Sequence, residues 1–195
     1  MVVRELDRNF DKRVERSKAK VLAETYRQLA ASGIGGVSID EITKHSGVSK
    51  TTIYRHWPSR SALLIDACSR LGGAMEAPDT DSLKRDLQLL LDALADQLSS
   101  ANWSSVYPSI IDAAERDLEL REMQAALHRG FMEPFSVAIE RAKTRGEVAA
   151  GCETSDVIGM AVGSLFFRRW FSRDEITAAT VTATLEIIMM AVQPA

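Results

Sequence analysis

The stretch Val37-Ser38-Ile39-Asp40-Glu41-Ile42-Thr43-Lys44-His45-Ser46-Gly47-Val48-Ser49-Lys50-Thr51-Thr52-Ile53-Tyr54-Arg55-His56-Trp57 decides the reading of this chain. It predicts two short helices with a tight turn between them. Ser38 is placed to N-cap the first, and Glu41 stands three residues on, as a capping box requires. Ile39 and Ile42 give that helix one apolar side. Gly47 ends it, because glycine enters the left-handed conformation of a helix terminus without steric cost. Val48 fills the corner and Ser49 caps the second helix. There Ile53 turns inward, while Lys50, Thr51, Tyr54, Arg55 and His56 point out. Two helices of this length joined at glycine are expected to form a helix-turn-helix, whose second helix enters the DNA major groove.

Together with Trp57-Pro58-Ser59-Arg60-Ser61-Ala62-Leu63-Leu64, the stretch resembles the N-terminal domain of TetR-family transcriptional repressors. The family pattern is matched at Ser38, Ile42, Gly47, Val48, Ser49, Thr52, Tyr54, His56, Ser59 and Leu63. The chain departs from it at Thr43 and Ser46, where the family usually has Ala, at Trp57 in place of Phe, and at Arg60 in place of Lys. The resemblance assigns Thr52 and Tyr54 to backbone phosphates, and Lys50, Thr51 and His56 to bases or phosphates. Arg60 and the amide and hydroxyl of Ser38 are implied as further phosphate contacts. Ser49 and Arg55 complete the expected DNA-binding set.

Charge supports a head that meets phosphate. The net charge is −3, but residues 1–60 hold 12 Lys/Arg against 7 Asp/Glu, a net of +5. The remaining residues hold 12 against 20, a net of −8. A basic head on an acidic body suits a nucleic-acid partner. With 46% hydrophobic and 26% charged residues, the chain has the composition of an ordinary globular protein. Cys68 and Cys152 lie far apart, in no ligand spacing, and are expected as small buried hydrophobes. The N-terminus is charged from Arg4 and has no apolar signal core, and the apolar run 157–167 is far short of the ~20 residues that span a bilayer. The expected location is cytoplasmic.

Taken in order, residues 1–9 read as a loose polar arm. An amphipathic helix follows from Phe10 to Ser32, with Val14, Val21, Leu22 and Leu29 on one side. Ser59 caps a fourth helix carrying Leu63, Leu64, Ala67, Cys68, Leu71 and Met75, closed by Gly72-Gly73. Leu83, Leu87, Leu90, Leu91, Leu94 and Leu98 form the core stripe of a fifth. Residues 99–104 read as a polar break, with Pro108 in the first turn of the sixth helix. The seventh spans Leu118 to Arg145, with Pro134 in its middle and Gly146 at its end. Residues 156–171 and 174–192 make two more. The expected fold is all-α, about nine helices, with residues 1–58 as the DNA-binding domain and 59–195 as an effector-binding and dimerisation domain.

No nucleophile elbow, zinc signature, phosphate loop or dinucleotide fingerprint is present, and His45, His56 and His128 are scattered. No enzyme, cofactor or metal site is expected. Gly159-x-x-x-Gly163 on an apolar helix implies close approach by another helix, in this chain or in a second subunit. The family's last two helices form a four-helix bundle with their symmetry mates. Gly159, Gly163, Phe167, Leu185 and Ile188 are accordingly expected at a homodimer interface. Trp103, Tyr107, Ile111, Leu127, Phe131, Phe135, Phe166 and Trp170 are expected to line a pocket for a small, mostly apolar effector. The chain thus reads as a homodimeric repressor of a pseudo-palindromic double-stranded DNA operator, released by that effector. The alternative is a ligand-independent DNA-binding or interaction protein whose body only dimerises.

Overall fold

The structure is a computed structural model that describes residues 2–69, 76–149 and 151–194, with side chains over 12–68, 76–100, 106–149 and 151–194. Nine α-helices are present among the described residues, and no strand. They are α1 (Val2–Ser32), α2 (Ile39–Ser46), α3 (Lys50–His56), α4 (Arg60–Ser69), α5 (Leu83–Ser99), α6 (Ala101–Ala114), α7 (Leu118–Arg145), α8 (Thr154–Phe166) and α9 (Ala178–Val192). A 3₁₀ turn at Ile34–Gly36 precedes α2, and a π-helical segment, Phe167–Ser172, follows α8. The all-α expectation holds.

The chain divides into two compact units, residues 1–71 with 105–127, and residues 72–104 with 128–195. The division falls within α6 and within α7, and position 58 lies inside the first unit. In that unit α1 packs against α2 and α4, and α2 against α3. Val21, Leu22, Leu29, Ile42, Ile53, Trp57, Leu63 and Leu64 are buried there. Each such side chain contributes about 1.5–3 kcal/mol by leaving water. In the second unit α5, α8 and α9 pack pairwise around Leu83, Leu87, Leu90, Leu91, Leu98, Ala161, Leu165 and Val181.

Several boundaries differ from the sequence expectation. Residues 2–9 continue α1 instead of forming an arm, since nothing between Val2 and Asn9 breaks a helix. The polar break between α5 and α6 shrinks to Ser100, whose amide donates to the carbonyls of Asp96 and Gln97. Pro108 therefore lies inside α6 and not in its first turn. Leu71, Met75 and Gly72-Gly73 lie outside the described residues. Cys68 is buried as expected, but Cys152 is half-buried, and both are free thiols.

One cap in the second unit comes from a distant residue. The side chain of Ser82 makes no capping bond to α5; instead Glu147 Oε2 accepts from the Leu83 amide at 2.8 Å. The other Glu147 oxygen takes Arg145 Nε at 2.6 Å. The buried carboxylate of Asp86 accepts from the amide and hydroxyl of Thr80, at 2.9 and 2.7 Å.

Candidate nucleic-acid interface

The two helices of the motif are held in place by short-range chemistry. Ser38 Oγ accepts from the Glu41 amide at 3.4 Å, and Ser49 Oγ from the Thr52 amide at 3.3 Å. Gly47 sits at φ 70°, a left-handed cap whose amide donates to Thr43 O. Only half of the expected capping box forms. The Ser38 amide donates at 2.9 Å to Oε1 of Gln28 on α1, not to Glu41. Gln28 Nε2 in turn donates to Glu24, which also accepts both arms of the Arg27 fork at 2.7 and 2.8 Å. The Arg27 hydrogen bonds pull the Glu24 carboxyl down to about 2, against the opposing effect of burial and with help from Gln28. Thus α1 clamps the start of α2.

This clamp corrects one expected contact. The Ser38 amide is already donated to Gln28, so that residue can offer phosphate only its hydroxyl hydrogen. The Arg60 guanidinium is half-buried and gives one of its five N–H donors to Ile34 O. It joins α4 to the 3₁₀ turn within the head. The other members of the set stand together on α3. Lys50, Thr51, Tyr54 and Arg55 are exposed, Thr52 and His56 are half-buried, and Ile53 is buried. Thr52 Oγ1 lies 2.9 Å from Ser49 Oγ. Lys50 Nζ donates to Oδ1 of Asp40 at 2.9 Å, which raises its pKa.

Beside α3 lies an open hollow of about 330 Å³, lined on one side by Ser49, Thr52, Arg55 and His56 and on the other by Arg13, Val14 and Ser17 of α1. The His56 imidazole titrates below its ordinary value because burial disfavours its charge, and Lys18 and Arg55 add repulsion. Cationic and hydroxyl groups on two elements around one concave surface suit phosphate oxygens. Arg13 and Ser17 were not foreseen as site residues. Their signal was present in the i, i+4 spacing on the basic side of α1, but only the hollow that α1 and α3 line together gives it meaning.

The other two expected sets are less unified. Tyr107, Ile111 and Leu127 belong to the first unit; Phe131, Phe135, Phe166 and Trp170 belong to the second. Tyr107 is buried and hydrogen-bonded by Gln124, whereas Ile111 is exposed to solvent. Phe135 is fully buried, and the rings of Phe166 and Trp170 meet edge to face at 4.9 Å. The Trp103 side chain lies outside the described residues. Among the dimer candidates, Leu185 and Ile188 are 2% and 1% exposed, so they fill the protomer's own core and not a free face. Gly159, Gly163 and Phe167 are exposed, and nothing lies within 4 Å of a Cβ built on either glycine. The outward apolar side of α9 is formed instead by Ala183, Ile187 and Met190.

Among the described residues no cluster of His, Cys, Asp and Glu is arranged to hold a metal, and no helix is long and apolar enough to cross a membrane. Comparison with known proteins agrees with the geometry. The family model of tetracyclin repressor-like C-terminal domains matches residues 77–188, and that of bacterial regulatory proteins of the tetR family matches residues 21–67. The DNA-binding transcriptional repressor TetR of Mycobacteroides abscessus is 28% identical, over 80% of this chain and 83% of its own. The TetR-family transcription regulator SCO0332 superposes with a TM-score of 0.74 at 23% identity, over 91% of this chain and 99% of its own. The transcriptional regulator FadR of Bacillus subtilis, solved in complex with stearoyl-CoA, shares the fold with a TM-score of 0.64 at 16% identity, over 90% and 99% of the two chains. With a capped helix-turn-helix in front and a matching helical body behind it, the chain belongs to the TetR family of DNA-binding transcriptional regulators.

Proposed function

We propose that this regulator is a homodimeric repressor that binds a pseudo-palindromic duplex operator through α3 and is released by a small, mostly apolar effector. The observation that carries the DNA part is the outward cluster Lys50, Thr51, Tyr54, Arg55 and His56 beside the hollow that Arg13 and Ser17 share. These groups are donors to phosphates and base edges, and the N-terminal residues of a recognition helix are the ones that reach bases. Functionally the DNA-binding part is residues 1–58 and the effector-binding and dimerisation part 59–195. The homodimer is supported by the apolar and small outward residues Gly159, Met160, Gly163, Phe167, Ile187 and Met190, which a second copy would cover. The effector reading is supported by apolar side chains such as Phe131, Phe166 and Trp170 that are only half-buried, and by the acyl-CoA held by a protein of the same fold.

Selection from a random duplex pool tests this reading. The purified protein should enrich a pseudo-palindrome with half-sites about one helical turn or slightly more apart. Arg55→Ala should weaken binding and flatten the slope of log K against log salt by ~1. No enrichment over the starting pool would overturn the reading. Calorimetry of fatty-acyl and aromatic candidates, with and without operator, tests the effector. An effector that weakens DNA binding tenfold must itself be weakened tenfold by operator. Equal affinity in both forms would leave the body as a dimerisation module.

A further inference from the structure

We propose that Asp40 is a specificity-determining residue, a tether that keeps the Lys50 ammonium on a base edge and away from the phosphates. The inference rests on the DNA-binding reading of α3. Asp40 is the second residue of α2 and Lys50 the first of α3, so the 2.9 Å bond crosses from one helix of the motif to the other. Both side chains are solvent-exposed, 53% for Lys50 and 79% for Asp40. The neighbouring acid Glu41 is occupied on its own helix by Lys44 at 3.6 Å and His45 at 3.5 Å. Helix α3 itself carries no acid.

A carboxylate on a surface that approaches DNA repels phosphate and lowers affinity for any sequence. In the first turn of α2 it favours the helix dipole, and its bond to Lys50 adds discrimination. An ammonium has three N–H donors. With one held by Asp40, two are left to donate to the O6 and N7 acceptors of a guanine, the edge that Lys and Arg read in the major groove. On random duplex that acceptor pair is usually missing. The tethered ammonium then stays on Asp40 and releases no phosphate counterion, so non-specific binding gains nothing from it. The raised pKa of Lys50 agrees with an ammonium kept fully charged by its partner. Lysine alone is a flexible point charge that any phosphate would capture; the carboxylate removes that freedom.

The test is a double-mutant cycle on the full chain, read by binding to the selected operator and to random duplex across a salt series. Asp40→Asn should tighten random duplex roughly five- to tenfold at 0.1 M salt and steepen its salt slope by about 0.9, the signature of one more neutralised phosphate. Operator affinity should gain less, so the specificity ratio should fall severalfold. In a Lys50→Met background the same Asp40→Asn change removes only the carboxylate's repulsion, so it should tighten operator and random duplex alike and leave the specificity ratio unchanged. An equal fall of the specificity ratio in both backgrounds would mean that Asp40 acts without Lys50, and would overturn the proposal. No gain in the parent background would overturn it too. Helix content and melting temperature, recorded for every variant, exclude misfolding as the cause. A parent that selects no operator sinks the DNA reading itself, whereas an operator-selecting parent with an uncoupled cycle sinks only the tether.

Discussion

The indole Nε1 of Trp57 donates to Oδ2 of Asp66 across 2.9 Å, tying the residue that ends α3 to α4. The ring is buried, so this bond is a second anchor beside the packing. Trp57→Phe keeps an aromatic plug, and the family usually has Phe here. In this chain it should nevertheless destabilise the fold by about 1 kcal/mol, because the hydrogen bond from the indole to a half-buried carboxylate is lost. Chemical denaturation checks it: an unchanged midpoint would show the bond to be dispensable. Asp66→Ala in the Phe background should then cost less than in the parent.

The clamp between α1 and α2 makes a pH prediction. Folding lowers the Glu24 carboxyl from 4.5 to about 2, mainly through the Arg27 hydrogen bonds. A depressed carboxyl pKa stabilises the fold above the unfolded value, and this stabilisation is lost as pH falls from about 4.5 toward 2. Glu24 is 10% exposed but its partner Arg27 is 59% exposed, so solvent screening reduces the effect to on the order of 1 kcal/mol. Glu24→Gln should therefore be less stable than the parent at pH 6 and approach it near pH 2. Parallel stability curves across that range would contradict the clamp.

For assembly, the decisive variant is Gly163→Leu. A Cβ at Gly163 meets nothing within 4 Å in the protomer, and leucine favours helix over glycine by nearly ~1 kcal/mol. The protomer should tolerate the change. Across a dimer interface the added side chain should cost ~1–3 kcal/mol by overpacking. Sedimentation equilibrium should show a monomer-shifted protein with full helix content. A parent that is itself monomeric would overturn the proposed homodimer, and an unchanged dimer constant in the variant would place the interface elsewhere.

The thiol of Cys68 is pushed up to about 12 by burial, and its side chain is inaccessible. Because the thiolate is the reactive form, iodoacetamide at pH 8 should leave Cys68 unmodified in the native protein and alkylate it once the chain is unfolded. Peptide mass mapping separates it from the half-buried Cys152. Native labelling of Cys68 at the rate of a free thiol would contradict the packing of α4.

How much was legible beforehand follows the range of the interactions. Ser38 and Ser49 accept from amides three residues on, and the Gly47 amide donates to a carbonyl four residues back, so the helix limits of the motif and the outward set on α3 could be read from spacing alone. The leucine stripe of α5 and the Gly146 stop of α7 were equally local, and local propensity with apolar period determined the all-α class. Tertiary structure alone decided the partners separated by long stretches of chain. It gave Arg60 to the carbonyl of Ile34, the Ser38 amide to Gln28, the α5 cap to Glu147, and Lys50 to Asp40. It also turned Leu185 and Ile188 into the core and left Ile187 and Met190 outside. On a helix that is apolar on more than one face, period alone marks several sides as fit for burial. Only the position of the neighbouring helix selects which of them leaves water.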